Sequence, residues 1–338
     1  MSQKRTFVIA EAGVNHNGSP QIATRLVDAA KACGADAVKF QTFKAERLVT
    51  RTAEKADYQK RSQPEGDSQL EMLKKLELGD ESFRLLSDHC DRCGIEFLSS
   101  PFDEESADFL DSLGMATFKI PSGEITNHPF LKHVARKNKP VILSTGMSSL
   151  GDVEEAVEIL RTFGSPKLIL LHCVTEYPAP YDEVNLNAMI TLRTAFGLEV
   201  GYSDHTPGIE IPVAAVALGA TVVEKHFTLD NAMDGPDHRA SLNPNDFRQM
   251  VQAIRNVEMA LGDGIKRPAP CELRNIGIAR KSIVAAGTIE AGEVIRRDKL
   301  VVKRPGYGIQ PKEIDKIVGL RANRTIAKDE VLEWRFLA

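Results

Sequence analysis

Two histidines close successive β-rich runs in the second half of the chain: His205 ends LEVGYSDH, and His226 lies in TVVEKHFTL, 21 positions later. That spacing is far from the i, i+4 pattern that sets two ligands on one helix face. Neighbouring strands lie about 4.8 Å apart, however, so two imidazoles ending adjacent strands can converge on one ion. Two histidines leave several coordination positions for water or substrate, which suits a Lewis-acid site better than a closed structural zinc site. Asp237 in MDGPDHRAS can bring a carboxylate to the same place. Two lysines, Lys39 in AVKFQT and Lys119 in TFKIPSGE, sit inside otherwise apolar runs, where an unpaired ammonium is costly to bury. Either Glu11 or Glu124 pairs with them, or they hold a bound polyanion. The hydroxyls of Ser100, Ser122, Ser144 and Ser203 at the ends of other runs favour the anion, because they add directional donors to the two cations.

These residues share a position. From residue 6 to about 260, short β-rich runs alternate with amphipathic helical stretches; the runs begin near Thr6, Ala37, Glu96, Ala116, Pro140, Leu168, Leu198 and Thr221. Helical spacing of apolar residues predicts helices over Ile22 to Cys33, Ser82 to Cys93, Ser106 to Leu113 and Pro244 to Leu261, several ending at glycine as left-handed caps require. Eight βα units in this length match a closed (β/α)8 barrel better than an open doubly wound sheet. In such a barrel the chemistry belongs at the C-terminal strand ends, and nearly every run turns polar there, as in Lys39 and Gln41, His172 and Thr175, or Glu224, Lys225 and His226. The barrel is expected over residues 1–261. A Gly- and Pro-containing linker follows over 262–280, and then a small turn-rich β domain over 281–338 that is too short to be stable without docking.

Composition excludes several classes. With 43 Lys+Arg against 47 Asp+Glu, no global field draws the chain to nucleic acid or an anionic membrane. The longest uncharged apolar stretch, Ile211 to Val223, falls short of the roughly 20 residues that span a bilayer. The N-terminal MSQKRTFVIAEAG meets Glu11 too soon to be a secretory core. Five scattered cysteines form no disulfide framework and favour a reducing, cytoplasmic compartment. Cys90 and Cys93 form a lone CxxC in a helical pattern, read as helix packing rather than a redox or metal pair. There is no GxxxxGK[ST], HExxH or GxSxG, and no GxGxxG after the first run, so nucleotide hydrolysis and serine esterase chemistry drop out.

The stretches IAEAGVNHNG, AVKFQTF, FLSSPFD, FKIPSGEITN, ILSTGM, HCVTEYPAPYDEVNL, GYSDHTPG, EKHFTLD, GPDHRASL and KRPGYGI span nearly the whole chain, and together they resemble the sialic acid synthase family. That family condenses phosphoenolpyruvate with an N-acetylated amino sugar to make nine-carbon nonulosonic acids. The resemblance implies a TIM barrel followed by an antifreeze-like (SAF) domain, in a homodimer whose small domains cap the partner's barrel. It implies phosphoenolpyruvate at Lys39, Ser100, Lys119, Ser122, Ser144, Thr175 and Ser203, with Mn2+, or alternatively Mg2+ or Co2+, on His205 and His226. Glu11, Gln41, Tyr177 and Asp237 would contact the sugar, Arg304 would reach in from the partner, and Glu124 would assist proton transfer alongside Lys119. N-acetylmannosamine, giving N-acetylneuraminate, is the expected sugar. The alternative is 2,4-diacetamido-2,4,6-trideoxymannose, giving N,N'-diacetyllegionaminate. A non-catalytic carbohydrate- or ice-binding protein is a third reading, which leaves the paired lysines and histidines unexplained.

Overall fold

The computed structural model describes residues 5–55 and 68–338, so the first four residues of the N-terminal stretch discussed above lie outside it. Eight parallel strands form the barrel: β1 (Phe7–Gly13), β2 (Ala37–Thr42), β3 (Glu96–Pro101), β4 (Phe118–Ile120), β5 (Val141–Ser144), β6 (Leu168–Cys173), β7 (Glu199–Asp204) and β8 (Val222–His226). Their order is β3-β2-β1-β8-β7-β6-β5-β4, with the first strand hydrogen-bonded to the last. β3 and β4 pack side by side without a ladder, so the barrel is nearly closed. β4 has three residues because Pro121 removes a donor and the chain turns at once into the 3-10 helix Ser122–Glu124.

Strand alternation sorts the interior into layers. Ile9, Ala37, Leu98, Ile142, Leu171 and Val222 pack together as one apolar cluster. Two residues further along each strand, the period of a β-strand puts the next side chain on the same face: Glu11, Lys39, Ser100, Ser144, Cys173 and Glu224. A larger apolar cluster, including Leu26, Phe83, Leu110, Leu131, Leu160 and Phe247, buries the outer strand faces against the helices.

Three helices begin two residues before the positions that apolar spacing marks, at Pro20, Asp80 and Glu104. Ser19 caps helix Pro20–Ala32 by accepting from the Ile22 amide, and Asp103 caps Glu104–Ser112 by accepting from Ser106. Helix Asp80–Cys93 ends at Gly94, whose left-handed φ of 66° frees the chain to enter β3.

The chain divides into two compact units, Met1–Asp263 and Gly264–Ala338. In the second, β9 (Ser282–Ala285) pairs antiparallel with β10 (Leu300–Lys303) over a small core including Ile283, Ile289, Ile295, Ile326 and Leu332. The segment expected as an irregular linker contains helix Leu273–Ala279, and the Gly306 amide donates to the Gly277 carbonyl, which ties that helix into the second unit.

Candidate active site

At the C-terminal end of the barrel a cavity of about 400 Å3 is lined by charged and hydroxyl side chains. Lys39, from β2, ion-pairs through Nζ with Glu11 Oε2 at 2.6 Å and donates to Ser100 Oγ at 3.0 Å. Lys119, from β4, donates to Ser144 Oγ at 2.7 Å. Between the two lysines stands Glu224 of β8, 3.6 Å from Lys39 Nζ and 3.5 Å from Lys119 Nζ, accepting from Ser203 Oγ at 2.8 Å. Both lysines and both carboxylates are buried. Strand register explains the convergence, since Glu11 lies opposite Lys39 on β2 and His226 on β8, and Ser203 lies opposite Glu224. A bulge between Glu11 and Gly13 re-aims the end of β1, and Gly13 takes φ 51° where an added Cβ would come 3.2 Å from Glu11 Oε1.

The electrostatics separate the two carboxylates. Burial works against the Glu224 charge, but Lys119 and Lys39 outweigh it and hold the carboxyl at about 2. Burial, with help from the Glu224 charge, raises Glu11 above the usual carboxylate range despite its contact with Lys39. Burial also lowers the Lys119 ammonium, whereas Glu11 and Glu224 overcome burial at Lys39 and raise it. Asp237 is pushed up to about 7 by burial and by Glu11.

His205 and His226 face each other with ring centroids 5.5 Å apart, and the Tyr177 ring lies 4.2 Å and 5.3 Å from the two. His205 Nδ1 donates to the Val174 carbonyl at 2.5 Å, which fixes the tautomer and leaves Nε2 with a free lone pair. His226 Nδ1 is buried without a hydrogen-bond partner among the described residues, and Asp237 Oδ2 lies 3.9 Å away. Burial lowers both imidazoles, keeping them neutral as a metal requires. The donor set therefore fits a divalent cation. Charge points the same way: Glu224 already offsets one of the two ammoniums, so a multiply charged anion here gains from a further positive charge.

Of the residues expected at the site, Glu11, Lys39, Gln41, Ser100, Lys119 and Ser122 line the cavity, as do Ser144, Thr175, Tyr177, Ser203, His205 and His226. Asp237 is not in the lining, and its Oδ2 lies 3.9 Å from His226 Nδ1. Glu124 follows the lining residues Ser122 and Gly123 on the same 3-10 turn but is not itself in the lining, and instead of pairing with a lysine it accepts from Asn127 Nδ2 at 2.7 Å. Arg304 is exposed in the second unit. Glu224 replaces Glu124 as the second lysine partner. Its signal in the sequence is its place two residues before His226 on one strand, the same face of β8. Cys173, two residues after Leu171, also lines the cavity and lies 3.1 Å from Ser122 Oγ.

Residues 26–266 match the NeuB family and residues 280–338 the SAF domain. The N,N'-diacetyllegionaminic acid synthase of Campylobacter jejuni is 50% identical over 97% of this chain and 99% of its own length, and that of Legionella pneumophila is 50% identical over 99% and 96%. The crystal structure of an N-acetylneuraminic acid synthetase from Leptospira borgpetersenii, in complex with citrate, superposes with a TM-score of 0.73 at 35% identity, covering 80% of this chain and 90% of that one. A polar, nearly closed barrel that leads into a SAF domain, matched along almost its full length, makes the chain a member of the NeuB family.

Proposed function

We propose that this protein is a nonulosonic acid synthase that condenses phosphoenolpyruvate with 2,4-diacetamido-2,4,6-trideoxymannose and water, giving N,N'-diacetyllegionaminate and phosphate. The sugar expected from the sequence, N-acetylmannosamine, gives way to this alternative. The observation that carries the choice is the end-to-end 50% identity to two N,N'-diacetyllegionaminic acid synthases, against 35% to the N-acetylneuraminic acid synthetase.

Lys39 and Lys119 hold the phosphate and carboxylate, with hydroxyl donors from Ser100, Ser122, Ser144 and Ser203 around them. The buried Thr175 hydroxyl, which has no hydrogen-bond partner among the described residues, supplies another. Orientation and fixed charge are the main contribution of these groups, since the enol carbon is a weak nucleophile. A divalent cation on His205 and His226 would polarise the open-chain aldehyde. As the enol C3 bonds to the aldehyde carbon, water adds at C2 and the C–O bond to phosphate breaks. The added water gives up both protons on its way to the product carbonyl, one to the former aldehyde oxygen and one to the departing phosphate. Asp237, at about 7 and beside His226, can hold a proton between the two steps. Glu11, the more easily protonated of the two carboxylates, lines the cavity with Gln41 and Tyr177 where the sugar would lie, and it and Asp237 share with Glu124 the proton role that the family resemblance assigns to Glu124. The family resemblance adds Arg304 from the partner's SAF domain and a swapped homodimer to this reading. Five unpaired cysteines are compatible with a cytoplasmic setting.

The test is phosphate release from phosphoenolpyruvate with each sugar offered separately. Turnover with the diacetamido sugar should exceed that with N-acetylmannosamine; a preference for N-acetylmannosamine would overturn the sugar, and release with neither would overturn the reaction class.

A further inference from the structure

On the outside of the barrel, helices Pro20–Ala32 and Asp80–Cys93 pack against each other, and three different metal-ligating groups meet between them. His89 and Cys93 are one turn apart on the second helix, a spacing that stacks them on one face. Asp28 projects from the first. His89 Nε2 is 2.6 Å from Asp28 Oδ1, Cys93 Sγ is 3.5 Å from His89 Nε2, and Cys93 Sγ is 3.6 Å from Asp28 Oδ1. We infer that Asp28, His89 and Cys93 form a second metal site, separate from the barrel mouth, that takes a borderline divalent cation of the Zn2+ type with solvent as fourth ligand.

The distances carry the assignment. Zinc bonds of about 2.3 Å to sulfur and about 2.0–2.1 Å to nitrogen and oxygen, at tetrahedral angles, set ligand–ligand edges of about 3.6 Å for S···N and S···O and about 3.4 Å for N···O. Both sulfur edges already match. The His89–Asp28 edge is shorter because those atoms hydrogen-bond to each other, and it opens by rotation of Asp28, which is exposed. A nucleophilic Cys-His-Asp relay does not fit, because it would need the thiol and the carboxylate on opposite imidazole nitrogens, whereas both approach Nε2. Cys90, the other half of the CxxC, faces the core, and burial pushes its thiol up to about 12, which leaves it to packing. The thiol in the cluster is Cys93 alone.

Binding exchanges the Cys93 thiol proton for the metal. The imidazole keeps one proton, which moves from Nε2 to Nδ1; Arg92 Nη2, 3.4 Å from that nitrogen, then turns into solvent, where its side chain already is exposed. Helices in a (β/α)8 barrel return antiparallel to the strands, so their C-terminal ends, with Cys93 and Gly94, lie on the side away from the mouth, the face associated with stability rather than chemistry. The cation would clamp the first helix to the helix that leads into β3. Lys31 Nζ, donating to the Gly94 carbonyl at 2.5 Å, makes the same link without metal.

Cobalt(II) is the probe, since a thiolate ligand gives an intense ligand-to-metal charge-transfer band that a site of histidines and oxygens lacks. Metal-stripped, reduced protein in a Cys271→Ser background, which removes the exposed thiol, is titrated with Co2+. The expected result is a near-ultraviolet band, lost in Cys93→Ser and in His89→Gln and retained in His205→Ala, where the barrel histidines no longer compete and it should saturate at one ion per chain. Circular dichroism verifies that each variant is folded. Absence of the band in the parent, or its survival in either cluster variant, overturns the site.

Discussion

Replacing Glu224 by Gln preserves the side-chain shape and the acceptor for Ser203 while deleting the charge shared by Lys39 and Lys119. The fully buried carboxyl sits at about 2 against an ordinary value of 4.5. At about 1.4 kcal/mol per pKa unit, its charge stabilises the folded state by about 3 kcal/mol at pH 7. Breaking a buried ion pair by removing one partner costs about 3–5 kcal/mol, the same effect seen from the lysine side. Because the folded pKa is depressed, this stability is fully present above pH 4.5 and is lost as pH falls toward 2. A unit of this size changes Tm by about 2–4 °C per kcal/mol, so Glu224→Gln should melt about 6–12 °C lower at pH 7. The gap between variant and parent should narrow as the buffer is taken below pH 4.5. Phosphoenolpyruvate should raise the variant's Tm more than the parent's, since the anion restores the missing negative charge. Equal Tm values at pH 7, or a gap indifferent to acidification, would show that the lysines take their charge balance elsewhere.

Chelation followed by Mn2+ titration should show weaker metal binding and no turnover in His226→Ala with the circular dichroism spectrum unchanged; full activity in exhaustively chelated parent protein would contradict the metal assignment. Lys119→Met should fold but lose the Tm increase that phosphoenolpyruvate gives the parent. Arg304→Ala and Lys119→Met chains, each inactive alone, should recover a substantial part of the activity when unfolded and refolded together, because one site of a swapped mixed dimer carries neither defect; verified mixed dimers without recovery argue against a composite site. Gly146→Ala should weaken phosphoenolpyruvate binding by about 1–3 kcal/mol, read as the rise in its KM, since the added methyl would fall 2.3 Å from Thr175 Oγ1 and 2.8 Å from Ser122 Oγ.

Much of this molecule was legible from residue order alone, because the determinants are periodic and local. Alternating β and helical runs reveal the eight units, glycines at helix ends such as Gly94 mark the caps, and polar residues gather where strands meet loops. The motifs carry the family. Sequence could not say which polar residue faces which, since a cross-barrel contact depends on register and on the bulge at Glu11 and Gly13. Hence Glu124, near Lys119 in sequence, turns away to Asn127, while Glu224, more than a hundred positions distant, takes the place between the two lysines. The same limit hid the partners of Cys93: the CxxC draws attention to Cys90, but helix geometry sends Cys90 into the core and sets Cys93 beside His89, one turn back, and Asp28 of another helix. Local chemistry is written in neighbouring residues, whereas buried charges take their pKa and their role from groups that only the closed barrel brings within reach.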